Sequence, residues 1–124
     1  RGDGHLAACV AAGLDAVEMN VMTEVWLGYP VGEYSSTRGF SPERLDAAVA
    51  SLTARQWFDD GGLTDAGHGA RSAIEAWTDL AQQGVIDALG EDAIDALVTD
   101  LTVVSDAVLA AHAAPADPRK RAAG

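Results

Sequence analysis

The sequence predicts a mostly α-helical domain that carries one very short β-hairpin. Apolar residues recur at three- and four-residue spacing in several segments, which is the pattern of helices with one buried face. Alanine, the strongest helix former, is the commonest apolar residue. In contrast, "WFDDGGLT" at 57–64 places a turn signal between two short extended segments. The length fits one domain, which we expect to span residues 1–113 before a disordered tail at 114–124.

The first half of the chain predicts three helices. The first covers "GHLAACVAAGL" and ends near Gly13, and the second covers "LDAVEMNVMTEVWLG" up to Gly28. Residues 28–40 are expected to form a loop with room for a short helix. The third helix begins with Ser41 as N-cap and Pro42 in the first helical position. Its predicted inner stripe is Leu45, Ala48, Val49 and Leu52, and its predicted outer positions are Arg44, Asp46, Ala47, Ala50, Ser51, Ala54 and Arg55.

A tight hairpin and a long helix follow. Very short strands are predicted at 57–58 and 63–64, joined by a two-residue turn within 60–62, where glycine supplies the positive φ angles. Thr64 is expected to cap the next helix, which runs from about residue 65 to near residue 83. Its predicted buried face is Ala66, Ala70, Ile74, Trp77 and Ala81.

The last helix follows a short extra turn, "VIDALG", and is the most regular segment of the sequence. Its apolar residues cover more than one narrow stripe, so we expect neighbours on two sides. A homodimer formed through residues 91–110 would supply one, and the preceding long helix covering the whole stripe is the alternative. The stripe is Ile94, Leu97, Val98, Leu101, Val104, Val108 and Leu109.

This order of elements predicts a winged-helix-like fold with two long C-terminal helices. The stretch "LTARQWFDDGGLTDAG" resembles winged-helix regulators of the MarR type at the level of fold. Together with "RGDGH", "AAGLDAVE" and "RGFSPERLDAAVASLTAR", it is similar to an actinobacterial family of uncharacterised, SalK-like helix-turn-helix proteins. That resemblance implies members about twice this length, so we expect this chain to be the later part of a longer protein. It also implies dimerisation through terminal helices.

The charge pattern argues against DNA reading. The formal net charge is -11, from eight basic and nineteen acidic residues, and such a surface repels nucleic acid. The predicted wing tip contains Asp59 and Asp60, and residues 38–58 have a balance of only +1. If the third helix does read DNA, the contacting residues are expected to be Arg38, Arg44, Ser51 and Arg55.

The stretch "RGDGH" predicts a ligand site formed by Arg1, Asp3 and His5. An arginine, a carboxylate and an imidazole can together bind an anion or relay a proton, and glycine lets a ligand approach the backbone. We expect the pocket to lie between the start of the first helix and the second helix. The structural alternative is that Asp3 caps the first helix and Arg1 belongs to a frayed end.

Other chemistry has weaker support in the sequence. No cofactor or metal site is predicted, because His68 and His112 have no partner at ligand spacing. Glu18 and Glu24 lie on different sides of the second helix and do not form an acid pair, and Cys9 is expected to be a packed thiol. No apolar run is long enough to span a membrane. We expect a cytoplasmic protein.

The sequence therefore favours an acidic winged-helix-like module that binds a small molecule or a protein. Binding to DNA is predicted to be unlikely, and a MarR-type transcriptional regulator is the alternative. A second alternative is part of an enzyme whose other groups lie in an N-terminal half outside this chain.

Overall fold

The computed structural model describes residues 1–60 and 62–117. Helices dominate the described residues, and one two-stranded antiparallel sheet accompanies them. The fold is therefore the predicted mostly α, winged-helix-like arrangement with a very short hairpin. In chain order the elements are α1 (Gly2–Ala11), α2 (Ala16–Trp26), a 3-10 helix (Ser35–Arg38), α3 (Pro42–Ala54), β1 (Phe58–Asp59), β2 (Gly62–Leu63), α4 (Asp65–Leu80), α5 (Gln83–Leu89) and α6 (Glu91–Ala110).

The chain forms two compact units, one over residues 1–81 and one from Gln82 onward. In the first unit, α1, α2, α3, the hairpin and α4 surround one apolar core. The core draws on every one of these helices, which is why short elements can be held without a disulfide. Its buried members are Cys9, Leu14, Val17, Met19, Val21, Met22, Leu45, Ala48, Leu52, Phe58 and Ile74.

Local signals in the sequence set several helix ends, and those at Gly13, Ser41 and Thr64 are as predicted. Gly13 follows α1 with a φ of 69°, and Asp15 caps α2 in a capping box with Glu18. Ser41 occupies the N-cap of α3 with Pro42 after it. Thr64 caps α4 by accepting a hydrogen bond from the backbone N–H of residue 67.

The hairpin lies one residue away from its predicted position. The pairing joins Phe58 to Leu63 and Asp59 to Gly62, so the strands are not the predicted 57–58 and 63–64 pairs. Two residues separate the strands, as a tight turn requires. The backbone N–H of Thr64 still donates to the carbonyl oxygen of Trp57 at 3.1 Å, Phe58 lies in the core, and Thr64 caps α4 as predicted.

The buried face of α4 is also rotated by one position from the prediction. Gly67, Arg71, Ile74 and Thr78 are buried, whereas Trp77 is 64% exposed. Of the predicted face, Ile74 is buried and Ala70 packs against the core, and the prediction is wrong for Ala66, Trp77 and Ala81. Two polar side chains occupy buried positions because each has a partner, and hydropathy alone therefore selects the wrong face. The helix also ends at Leu80, before the predicted residue 83.

The second unit contains α5 and α6, and none of the residues in these two helices is buried. Gly90 joins them with a φ of 80°. The predicted disordered tail stays a prediction, and its last seven residues, 118–124, lie outside the described part of the chain.

Candidate functional site

A polar cluster lies where α1 packs on α4, and we name it the α1–α4 cluster. Arg1 and His5 are four residues apart and share one face of α1. The opposing groups repeat at similar spacing on α4, so the two helices bring together side chains that are more than 60 residues apart in sequence. The members of the cluster are Arg1, His5, Arg71, Glu75, Thr78 and Asp79.

Glu75 is the centre of the cluster. Its carboxylate pairs with Arg71 on one oxygen and with Arg1 at 2.5 Å on the other. Arg1 also reaches the carboxylate of Asp79 at 2.5 Å. Burial alone would raise the pKa of Glu75, but the two guanidinium groups outweigh it and hold that pKa below its ordinary value. Glu75 is therefore an ionised group that orders both arginines.

Arg71 is the most deeply buried charge in the cluster. Its side chain is 6% exposed, and its guanidinium carbon lies 4.8 Å from the centroid of the Trp26 ring. One terminal nitrogen pairs with Glu75, while the buried Nε–H has no hydrogen-bond partner among the described residues. A buried donor without an acceptor is costly, so this N–H is a natural point of contact for a ligand oxygen or a water.

The hydrogen bonds around His5 decide which of its nitrogens carries the proton. The Thr78 hydroxyl donates to the carbonyl oxygen of Ile74 at 2.7 Å, so only its lone pairs remain for His5 Nδ1 at 3.1 Å. Nδ1 therefore carries the hydrogen, and Nε2 of the neutral ring is an acceptor. Partial burial lowers the pKa of His5; Glu75 opposes this effect, and Arg71 and Arg1 add to it.

The structure brings two of the three predicted ligand residues together. Arg1 and His5 belong to the α1–α4 cluster, but Asp3 is exposed in the first turn of α1 and lies two residues from Arg1, on a different face. The alternative in which Asp3 caps the helix is wrong, because α1 begins at Gly2 with Arg1 at the N-cap. Their roles in ligand binding stay a prediction.

A second set of polar contacts joins α3 to the start of α2. Ser51 donates to the carboxylate of Glu18 at 2.6 Å. Arg55 donates to the carbonyl oxygens of Ala12 and Gly13 at 3.1 and 2.5 Å. The prediction that Ser51 and Arg55 are outer positions is wrong, because both lie on the flank that faces α2.

The exposed side of α3 carries little positive charge. Arg44 is exposed at its edge, with its guanidinium carbon 5.2 Å from the centroid of the Phe40 ring. Arg38, from the 3-10 helix, stacks on Tyr34 at 5.0 Å. The exposed positions of α3 besides Arg44 contribute two carboxylates and no basic group: Pro42, Glu43, Asp46, Ala47, Ala50, Thr53 and Ala54.

A shallow groove of about 210 Å³ runs between α2 and α3. Arg44 lies on the α3 side, while the α2 side carries the carboxylates of the capping box. This groove differs from the predicted pocket between the first two helices. Its lining residues are Asp15, Val17, Glu18, Arg44, Ala47, Ala48 and Ser51.

A comparison with protein families shows which family the chain belongs to. The model of a helix-turn-helix family matches residues 1–115. The chain belongs to this helix-turn-helix family. Searches of curated proteins and of solved structures find no significant match. The narrower resemblance of this helix-turn-helix domain to SalK-like and MarR proteins stays a prediction.

Sequence reasoning missed the buried half of the site in this helix-turn-helix domain. Arg71 and Thr78 replace apolar residues at inward positions of α4, so a hydropathy pattern does not mark them. The spacing of Arg71 and Glu75, four residues apart with opposite charges, is a signal that could have found the pair. Their contact with α1 depends on tertiary packing and has no local signature.

Three further features of the described residues bear on chemistry. Cys9 is buried, as predicted, and burial raises the pKa of its thiol. No group of three or more His, Cys, Asp or Glu residues that could hold a metal ion occurs in the described part of the chain. Within the same residues, only the sharply bent pair of α1 and α2 has the length and hydropathy of a membrane span, and each helix alone falls short.

Proposed function

We propose that this helix-turn-helix family domain binds a small polar molecule at the α1–α4 cluster and does not read DNA through α3. The observation that carries the proposal is the inward orientation of Ser51 and Arg55. Both donate to groups of the protein itself, so α3 has few cations and donors left for phosphates and base edges. The net negative charge of the whole chain also disfavours binding to DNA.

The α1–α4 cluster offers both halves of a hydrogen-bonded ligand site. His5 Nε2 would accept a hydrogen bond from the ligand, and the Nε–H of Arg71, which has no partner among the described residues, would donate one. The positive groups are balanced by Glu75 and Asp79, so a strongly charged ligand would have to displace an existing ion pair. We therefore expect a neutral molecule with a donor beside an acceptor, such as a primary amide or a protonated carboxylic acid.

A ligand screen tests this proposal. Thermal unfolding would be followed with a panel of small primary amides and carboxylic acids, and hits would be measured by calorimetry. A ligand at 100 times its Kd stabilises the folded state by about 2.7 kcal/mol. We expect His5→Ala to abolish the shift and His68→Ala, an exposed histidine outside the cluster, to preserve it. Loss of binding in Arg44→Ala alone would place the ligand in the α2–α3 groove and contradict the proposal.

DNA-binding regulation is the second candidate, because the chain belongs to a helix-turn-helix family. Among the predicted contact residues, Arg38 and Arg44 are exposed and stack on Tyr34 and Phe40, and a regulator would use them together with partner chains. Salt-sensitive binding to a defined duplex, weakened by Arg44→Ala and unchanged by His5→Ala, would favour this candidate. If the chain does not bind the duplex even at low salt, the result would favour ligand binding.

A further inference from the structure

An exposed apolar surface of the second unit follows α6. Leu97, Val98, Leu101 and Val104 are each about half exposed or more. They recur at three- and four-residue spacing, so they form one stripe along the helix. An isolated helix is marginal in water, and contiguous apolar surface on a monomer commonly marks an interaction site. The α6 stripe therefore gains stability when another apolar surface covers it.

Carboxylates border the α6 stripe on both sides. At 100° per residue, Asp100 falls on one flank of the stripe and Asp95 on the other, with Asp106 about 20° further round the helix than Asp95. Residues 82–117 contain seven acidic residues and no lysine or arginine. A partner that covers the stripe must therefore bring its own edges close to negative charge.

This charge pattern selects among the occupants of the stripe. A second copy would bring the same carboxylates to the edges of the shared seam, and like charges beside a helical seam destabilise the pairing. A helix with an apolar face and lysine or arginine on its flanks would instead form ion pairs along both edges. We infer that α6 docks a basic amphipathic helix of a partner protein. This inference is independent of the ligand proposed for the α1–α4 cluster.

Two synthetic peptides of opposite charge test the inference. Both would be amphipathic helices of about 20 residues, which matches the length of α6, with leucine on one face and either lysine or glutamate on the other. Binding of each labelled peptide to the full chain would be followed by fluorescence anisotropy. We expect the lysine peptide to bind at least about tenfold more tightly than the glutamate peptide at low salt, with the difference shrinking as salt is added.

Two serine variants on opposite sides of α6 provide the matched control. Leu101→Ser should weaken binding of the lysine peptide by about tenfold or more. Val103→Ser, at a residue that is 69% exposed and lies outside the stripe, should change the affinity by less than about twofold. Circular dichroism would establish that both variants keep their helices.

Three results would overturn the inference. Equal binding of the two peptides would remove the role of the carboxylates. An equal effect of the two serine variants would remove the role of the stripe. A stable dimer in light scattering that Leu101→Ser dissociates would show that a second copy is the occupant, which is one of the two alternatives that the sequence leaves open.

Discussion

Arg71 shows how one residue links packing to the candidate site. Its stem lies in the interior of the first unit, its guanidinium stacks on Trp26, and its charge is neutralised by Glu75. Such a buried charge requires a partner, because a lone one costs several kcal/mol. Arg71 therefore fixes Glu75, and Glu75 in turn holds Arg1 and lies 3.6 Å from His5. The packing of α1 on α4 therefore brings together the side chains that form the candidate site.

His5 should make the stability of the fold depend on pH. Partial burial lowers its pKa in the folded state, so the unfolded chain binds more protons near and below the ordinary value of about 6.5. Stability should therefore be complete above that value and fall as the pH drops through it. The lowered pKa of Glu75 acts in a separate, more acidic window, where protonation removes its stabilising charge.

Urea unfolding at about pH 7.5 and about pH 5.5 measures this effect. We expect His5→Gln to reduce the loss of unfolding free energy between the two pH values, and His68→Gln to leave the loss as it is in the parent chain. A pH dependence that His5→Gln does not alter would show that the ring is not held neutral by the fold.

Sequence reasoning found the α1 half of the site and missed the α4 half. Arg1 and His5 were predictable because they lie four residues apart at a helix start, where the spacing itself places them on one face. Arg71 and Thr78 were not, because hydropathy assigns arginine and threonine to the surface. Their burial depends on Trp26, Glu75 and the Ile74 carbonyl, and those partners are fixed only by packing or by helix geometry.

Among the elements, α4 shows why a correct helix can have the wrong face. The position of α4 is set where its first turn meets the end of α3. A Cβ atom on Gly67 would lie 2.1 Å from the carbonyl oxygen of Trp57, so only glycine permits this approach. That contact turns position 67 inward and determines which residues follow it into the core. The element order was predictable from caps and periodicity, whereas this rotation depends on one missing side chain.

Alanine substitutions at two glycines of α4 test this account. Gly67→Ala should lower the free energy of unfolding by about 2 kcal/mol or more, because the clash is with backbone that cannot rotate away. Gly69→Ala meets open space and should raise it by about 0.5–1 kcal/mol through helix propensity. Urea unfolding followed by circular dichroism measures both values. Equal effects of the two changes would contradict the close approach at Gly67.

For the whole molecule, charge is the dominant property. The net charge of -11 is carried by a chain of 124 residues. The arginines within residues 1–117 are engaged in contacts with aromatic rings, carboxylates or backbone. The local ion pairs therefore do not cancel the long-range repulsion between carboxylates. This balance was predictable from composition alone, because net charge does not depend on the fold.

Added salt should stabilise the folded protein. Raising NaCl from about 10 mM to about 150 mM shortens the screening length from about 30 Å to about 8 Å, which weakens repulsion between carboxylates across the surface. The exposed pair of Arg1 with Asp79 is weakened too, but an exposed ion pair adds little to stability. We expect Tm to rise by a few degrees, where about 1 kcal/mol corresponds to roughly 2–8 °C for domains near this size.

The triple variant Asp95→Asn, Asp100→Asn, Asp106→Asn changes the formal charge from -11 to -8 and should show a smaller rise in Tm on adding salt. A Tm that falls with salt would mean that specific ion pairs, rather than the overall carboxylate field, control the stability of this domain.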